Sequence, residues 1–253
     1  MDAAQATDIT QSIFRWIHVV AGILWIGLLY FFNWVNGPFA ATMDGETKKK
    51  VVPELMPRAL FWFRWGAAWT WVTGVLLLLL VFYHGGAAFE SGSSSPIGYA
   101  GVGLALISPF LYDVLAKSIK KNEVLAVLGV AIVAGLIWVM IRYLGYGFRG
   151  YAIHIGGVFG TIMAFNVWFR IWPNQQKIIA AVKGGTPPDA ALVAVAGTRS
   201  KHNTYMSVPL VLAMLNMHST WMATQWWIFP IAVGFAWFGT KHLYSKAGKV
   251  KGF

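Results

Sequence analysis

Long uncharged runs alternate with short basic stretches along this chain. A helix needs about 20 apolar residues to cross the hydrocarbon layer of a bilayer. Runs of that kind predict seven spanning helices, near residues 11–36, 61–84, 97–116, 123–144, 150–172, 203–220 and 223–243. The long connection at 173–202 predicts an amphipathic cytoplasmic helix that ends at Gly184-Gly185, and a second short helix that opens at Pro187-Pro188-Asp189. The chain is predicted to be all-α, with residues 1–253 forming a single transmembrane bundle.

Basic residues lie mostly on one side of the predicted bundle. Of the 20 lysines and arginines, 17 fall in the first, third and fifth connections and the C-terminal tail, and 3 fall on the opposite side. Because cytoplasmic loops carry the excess of basic residues, this asymmetry predicts the N-terminus outside and the C-terminus in the cytoplasm. The first ten residues are acidic and lack a basic segment, so a cleaved signal peptide is not expected.

Composition agrees with a membrane protein. Charged residues make up 11% of the chain, against roughly 25% in soluble domains. The net charge of +11 is therefore better explained by the lipid bilayer as partner than by nucleic acid. The sequence has no cysteine, which excludes disulfides, thiolate metal sites, iron–sulfur clusters and covalently attached c-type haem.

Three of the six histidines are predicted at similar depth in the outer half of the bundle. They are His18, His154 and His218. A b-type haem takes axial imidazoles from facing helices, and the predicted iron ligands are His18 with either His154 or His218. His202 lies at the cytoplasmic side and would need a second, inner site.

Other residues near these histidines suit a haem. Small residues close to the predicted ligands would let a porphyrin approach the backbone: Gly22, Gly157 and Gly160. Arg15 and Arg149 lie on the side of the bundle that is poor in basic residues. Ion pairs with the propionate groups of a haem would explain their presence there. The alternative is structural: histidines that bond between helices, glycines that pack helices, and arginines that extend to the surface.

The remaining polar residues are predicted to be structural. Asp113 and Lys117 are four residues apart, which indicates a local ion pair. Interhelical hydrogen bonds are the expected role of three asparagines: Asn33, Asn36 and Asn166.

Several stretches resemble the membrane domain of bacterial membrane-bound urate hydroxylases, also called the urate oxidase N-terminal domain. These are RWIHVVAGILWIG at 15–27, PRALFWFRWGAAWTWVTG at 57–74, LYDVLAKS at 111–118, the long run FRGYAIHIGGVFGTIMAFNVWFRIWPNQQKIIAAVKGGTPPD at 148–189, and RSKHNTYMSVPLVLAMLNMH at 199–218. Together they extend over nearly the whole chain. His18, His154, His202 and His218 fall inside them, so the resemblance favours haem b.

The resemblance implies oxidation of urate to 5-hydroxyisourate in the bacterial inner membrane. Enzymes of this kind add an eighth helix and a cytochrome c domain with a CxxCH motif, and this sequence contains neither. We therefore expect a stand-alone form that passes electrons to a separate periplasmic cytochrome c. Two alternatives are a non-catalytic haem-carrying or structural subunit of a larger respiratory or oxidoreductase complex, and a transport protein without a cofactor.

Overall fold

Helices form nearly all of the structure, a computed structural model that describes residues 2–92, 95–119, 121–216 and 221–251. In chain order they are α1 (Ala3–Tyr30), α2 (Gly37–Thr42), α3 (Gly45–Leu77), α4 (Ala100–Ser118), α5 (Asn122–Leu144), α6 (Phe148–Asn166), α7 (Trp172–Lys183), α8 (Ala190–Leu215) and α9 (Ile228–Ala247). Three π-helical turns continue α1, α3 and α6, at Phe31–Asn36, Leu78–His84 and Val167–Ile171. No β-strand occurs in these residues, so the predicted all-α class is confirmed.

Five helical stretches are long and apolar enough to cross a membrane: Ala4–Thr42, Gly45–His84, Pro96–Ser118, Asn122–Leu144 and Phe148–Lys183. They cover the positions of the first five predicted spans. Helices α8 and α9 are not among them. The first half of α8 carries Arg199 and Lys201, and α9 ends in a polar segment with Lys241 and His242. The total of seven spans and the orientation therefore stay predictions.

Polar caps determine where two of the helices begin. Asp44 accepts hydrogen bonds from the backbone N–H of Thr47 at 2.9 Å and from its hydroxyl at 2.7 Å. These bonds, the backbone bond above all, lower the pKa of the Asp44 carboxyl. Asp189 accepts from the backbone N–H of Ala191 at 2.7 Å and starts α8.

A helix does begin after Pro187-Pro188-Asp189 as predicted, but the prediction that it is short is wrong, because α8 runs from Ala190 to Leu215 without a break. The residues that follow Asp189 are rich in alanine, and no proline interrupts them until Pro209. Alanine has the highest helix propensity, so the segment continues directly into the predicted sixth span. A helix predicted at the start of the same connection is present as α7, which ends at Lys183 before Gly184, whereas its cytoplasmic location stays a prediction.

Helix α6 lies at the centre of the bundle, where it packs against α3, α4, α5 and α8. Its apolar stretch is more deeply buried inside the bundle than those of the other four candidate spans. Gly156 and Gly160 face α8. A Cβ atom at these positions would lie 3.1 Å from Met214 and 3.4 Å from Leu210. Small residues four apart let two membrane helices approach closely, which explains the burial of α6.

Candidate functional site

Polar side chains gather at two levels of the bundle. Following the predicted orientation, we call the end where α1 begins and α3 ends the outer end, and the opposite end the inner end. The inner cluster consists of Tyr112, Asp113, Lys117, Asn166, Arg170, Arg199, His202 and Asn203. The outer cluster consists of Tyr83, Gly98, Tyr146, Gly150 and His154.

Asp113 organises the inner cluster by binding three cations. Its carboxylate oxygens lie 2.8 Å from the Lys117 Nζ, 2.9 Å from the Arg170 Nη2 and 2.7 Å from the Arg199 Nη2. The Nε of Arg170 also donates to this carboxylate, at 3.1 Å, so that guanidinium binds in the bidentate manner. One negative charge faces three positive charges, which leaves the cluster with an excess of two positive charges.

The Arg199 guanidinium is the most buried cation of this group, with 5% of the residue exposed. Its Nη2 donates to Asp113, whereas its Nη1 has no hydrogen-bond partner among the described residues. The guanidinium carbon lies 4.9 Å from the centroid of the Tyr112 ring. A buried N–H without a partner has a free-energy cost, so this group is suited to bind an additional acceptor.

Amides and an imidazole complete the inner cluster. Asn166 donates to the Oδ1 of Asn203 at 2.8 Å, and its own Oδ1 is buried without a partner in the part of the chain that the structure describes. The Tyr112 hydroxyl lies 2.8 Å from the Nδ1 of His202, and the side chains of Arg199 and Asn166 both approach that hydroxyl. An arginine N–H and an asparagine carbonyl oxygen, both without a partner among the described residues, therefore lie near the Tyr112 hydroxyl.

The outer cluster is a compact chain of hydrogen bonds. The hydroxyl oxygens of Tyr83 and Tyr146 are 2.6 Å apart, and the Tyr83 hydroxyl is 2.7 Å from the Nε2 of His154. Tyr146 donates to the carbonyl oxygen of Gly98 at 2.6 Å. The Nδ1 of His154 lies 2.7 Å from the carbonyl oxygen of Gly150. All three side chains are at most 2% exposed.

Local backbone features place these side chains. Tyr83 lies in the π-helical turn that ends α3, and Arg170 in the one that follows α6. Such turns are rare in α-helices and occur frequently at functional sites. At Gly101 a Cβ atom would collide with the Tyr146 hydroxyl and lie 2.9 Å from the His154 ring. Because Gly101 has no side chain, Tyr146 and His154 can both pack against α4 at this position.

His18 has the geometry of an available ligand. Its Nδ1 lies 3.2 Å from the hydroxyl of Thr73, which donates its own proton to the carbonyl oxygen of Trp69 at 2.6 Å. With the Thr73 proton on that carbonyl, Nδ1 is the ring nitrogen that donates to Thr73, and Nε2 keeps its lone pair. The ring also has a hydrogen bond with the backbone of Thr70. Metal-binding histidines commonly donate their second ring N–H in this way.

His154 and His202 differ from His18 because both of their ring nitrogens have partners. His154 bonds to Tyr83 and Gly150, and the Nε2 of His202 lies 3.5 Å from the Asn122 Oδ1. The structure does not bring His18 and His154 together. His18 contacts α3 at Thr73 and His154 contacts it at Tyr83, ten residues further on, a separation of roughly 15 Å along a helix. One haem iron cannot bind both as they are placed here, and His218 lies outside the described residues.

The other residues predicted around a haem are placed as follows. Arg15 is exposed and donates to Gln11 at 3.2 Å, and Arg149 is exposed. A Cβ atom at Gly22 would lie 3.7 Å from Thr70, so ordinary helix packing explains this glycine. The same holds for Gly160, which faces Leu210, whereas Gly157 has no atom within 4 Å of its Cβ position. No group of three or more possible metal-ligating side chains occurs among the described residues.

Comparison with family models gave a match to the urate oxidase N-terminal family over residues 43–251. The chain belongs to the urate oxidase N-terminal family. Neither the comparison with curated proteins nor that with solved structures gave a match. The chain thus contains a urate hydroxylase-like membrane domain.

The resemblance to this family contained a signal for the inner cluster. All eight of its residues come from the resembling stretches at 111–118, 148–189 and 199–218. Sequence reasoning predicted the Asp113–Lys117 pair and the interhelical bonding of Asn166, and both are confirmed. It missed the two arginines that Asp113 binds. Tyr83 and Tyr146 of the outer cluster were also missed, because both lie outside those stretches.

Proposed function

We propose that this bundle is a urate-oxidising module of the bacterial inner membrane that passes its electrons to a separate periplasmic c-type cytochrome. The reaction joins urate with one water molecule and gives 5-hydroxyisourate, two protons and two electrons. Water supplies the added oxygen, so an electron acceptor is required and molecular oxygen is not. Residues 1–253 contain no cysteine, so a covalently attached c-type haem cannot lie within them.

The observation that carries this proposal is the unpartnered Nη1 of the buried Arg199 within the inner cluster. Urate is a planar anion at neutral pH, with carbonyl oxygens and N–H groups around its edge. The unpartnered Nη1 of Arg199 suits a carbonyl oxygen on such an edge, because hydrogen bonds from a charged donor are stronger than neutral ones. The excess of positive charge around Asp113 favours an anion. The free Oδ1 of Asn166 supplies an acceptor for a urate N–H.

A charge-conserving substitution tests this site. In Arg199→Lys the ammonium keeps a positive charge beside Asp113 but loses the second, unpartnered amino group. We expect the Kd for urate of the purified protein to rise at least about tenfold, since a charged hydrogen bond contributes about 1.5–3 kcal/mol. The measurement is a urate titration by calorimetry, followed by urate-dependent reduction of an added ferric c-type cytochrome.

Arg58→Lys is the matched control. Arg58 pairs with Glu54 and both side chains are 72% exposed, so this change should leave urate binding unaltered. If correctly inserted Arg199→Lys protein bound urate with unchanged affinity, the inner cluster would not be the urate site. If urate did not bind to the unaltered protein at all, the proposed function would be wrong.

Haem b in the outer half of the bundle is part of the proposal, with His18 as the ligand that fits. The lone pair on its Nε2 and the hydrogen bond of its Nδ1 to Thr73 support this choice. When bound, a haem would accept and release electrons one at a time. The occupied nitrogens of His154 argue against it as the second ligand, and His218 is then the expected partner.

Absorption spectroscopy of two variants tests the haem assignment. We expect His18→Ala to lose the haem Soret band. Of the two predicted iron ligands that the structure describes, His18 is the one whose imidazole keeps a nitrogen available to bind iron. His154→Ala should keep the band. A pyridine haemochrome assay on both purified proteins gives the haem content. Full haem in His18→Ala, or loss of haem only in His154→Ala, would contradict this assignment.

A further inference from the structure

An aromatic belt surrounds Arg64 near the inner end of the bundle. It consists of residues from α3, from the π-helical turn after α6 and from the first turn of α7: Phe61, Trp62, Trp65, Trp168 and Trp172. Trp172 lies two residues beyond Arg170 of the inner cluster, so the belt and that cluster lie at a similar level. Tryptophans are enriched where a membrane meets water. In the predicted orientation, the belt therefore lies at the level of the headgroups of the inner leaflet.

Rings of the belt hold the Arg64 guanidinium in place. Its carbon atom lies 4.0 Å from the centroid of the Trp172 ring, and 5.6 Å and 5.9 Å from those of Phe61 and Trp168. Distances of this kind are typical of cation–π interactions. An arginine that only extends to water would move its charged end away from the rings. Arg64 is instead packed against three aromatic residues and is only partly exposed.

Arg64 has no ion-pair or hydrogen-bond partner among the described residues. Its Nε is buried without an acceptor, and none of the ion pairs in that part of the chain includes it. Arg170, by comparison, binds both carboxylate oxygens of Asp113. Aromatic faces attract a positive charge but do not replace the N–H···O bonds of a guanidinium. Because an uncompensated charge inside a membrane is costly, an acceptor from outside the protein is expected here.

We propose that Arg64 binds the phosphodiester group of an anionic phospholipid in the inner leaflet. Two phosphate oxygens match the parallel N–H donors of a guanidinium, and a guanidinium that packs on an aromatic face keeps these donors at its edge. One negative charge compensates the one unpaired positive charge, whereas a zwitterionic headgroup also brings its own cation. The site is separate from the inner cluster and does not depend on urate binding there.

The surroundings of Arg64 favour a lipid over a free phosphate ion. Trp62 and Trp65, on either side of Arg64 in the sequence, are 57% and 42% exposed. In a bilayer these rings contact lipid, and each indole N–H can donate to an ester carbonyl oxygen. A phospholipid therefore uses both the cation and the apolar rings, whereas inorganic phosphate uses only the cation.

Native mass spectrometry of the purified full chain tests this site, because it resolves protein with and without one bound lipid. Phosphatidylglycerol is titrated into the detergent-solubilised protein, and the Kd of the first bound lipid is measured. We expect this Kd to rise at least about tenfold in Arg64→Gln, which removes the charged donors but keeps a polar side chain. If Arg64→Gln bound this lipid as tightly as the unaltered protein, or if an equal concentration of inorganic phosphate displaced the lipid, the proposal would be wrong.

Arg58→Gln is the matched control, because it removes one positive charge from the same helix. Arg58 pairs with Glu54 and both side chains are 72% exposed, so the Kd for phosphatidylglycerol should not change. Equal loss of binding in the two variants would show that the net charge of the inner surface, and not Arg64, attracts the lipid, and would contradict the proposal.

Photo-crosslinking locates the lipid on the unaltered protein, so this measurement does not require a folded variant. Phosphatidylglycerol with a diazirine in its headgroup is activated by light, and peptide mass spectrometry identifies the modified residues. Crosslinks should concentrate on residues 61–65 and 168–172. Crosslinks spread evenly over the exposed residues of all the helices would indicate lipid without a defined site and would overturn the proposal.

Discussion

Asp113→Asn should lower the stability of the folded protein by about 3 kcal/mol, since removing one partner of a buried ion pair leaves the other charge uncompensated. The asparagine has the same shape but no charge, and three cations then face one another. Arg199 suffers most because it is 5% exposed, whereas the Lys117 side chain is 67% exposed and can turn to water. The measurement is the thermal unfolding midpoint of the purified protein in one detergent.

Glu54→Gln is the matched control for Asp113→Asn. It also removes one carboxylate from an ion pair with an arginine four residues away, but both side chains are 72% exposed. Exposed pairs contribute about 0.2–1 kcal/mol, so the midpoint should hardly move. Equal effects of the two substitutions would show that Asp113 does not hold the inner ends of α4, α6 and α8 together.

The helices could be predicted from the sequence because the signals for them are local. Runs of apolar residues bounded by lysines and arginines predicted the five candidate spans, and the apolar–basic alternation around Lys177 and Lys183 predicted α7. The error at α8 came from the prolines before Asp189, which were taken to open a short separate helix. They precede a cap, and the alanine-rich segment after the cap continues as one helix.

The partners of Asp113 could not be predicted in the same way. Its contacts with Arg170 and Arg199 join residues 57 and 86 positions apart, so no local spacing indicates them. Lys117, four residues away on the same helix, already gives Asp113 an ion-pair partner, so the sequence alone does not indicate a second one. The clue that was available is that all of these residues lie in stretches resembling one family, because shared motifs distant in sequence often meet at a site.

The depth of the histidines was predicted from where each span appeared to begin. For α1 this start was set near residue 11, whereas the helix begins at Ala3 and extends past Asp8 and Arg15. His18 is therefore the sixteenth residue of α1, while His154 is the seventh residue of α6. Charged residues near the end of a long helix do not mark where the helix begins. Two histidines that lie equally far from such residues therefore need not lie at the same depth in the bundle.

Gly150→Ala should destabilise the protein by about 1–3 kcal/mol, the usual range for forcing extra atoms into a packed site. A Cβ atom at Gly150 would collide with the backbone carbonyl oxygen of Ala88 and lie 3.0 Å from the Tyr146 Cβ. That carbonyl accepts from the backbone N–H of Gly147 at 3.1 Å and cannot turn away freely. The start of α6 must therefore shift, together with the Gly150 carbonyl that holds His154.

Gly157→Ala, seven residues further along the same helix, is the control for Gly150→Ala. No atom lies within 4 Å of its Cβ position, and alanine exceeds glycine in helix propensity by about 1 kcal/mol. This variant should be as stable as the original chain or more so. The thermal unfolding midpoints of the two purified variants measure this difference. A Gly150→Ala protein with an unchanged midpoint would show that the start of α6 tolerates a side chain.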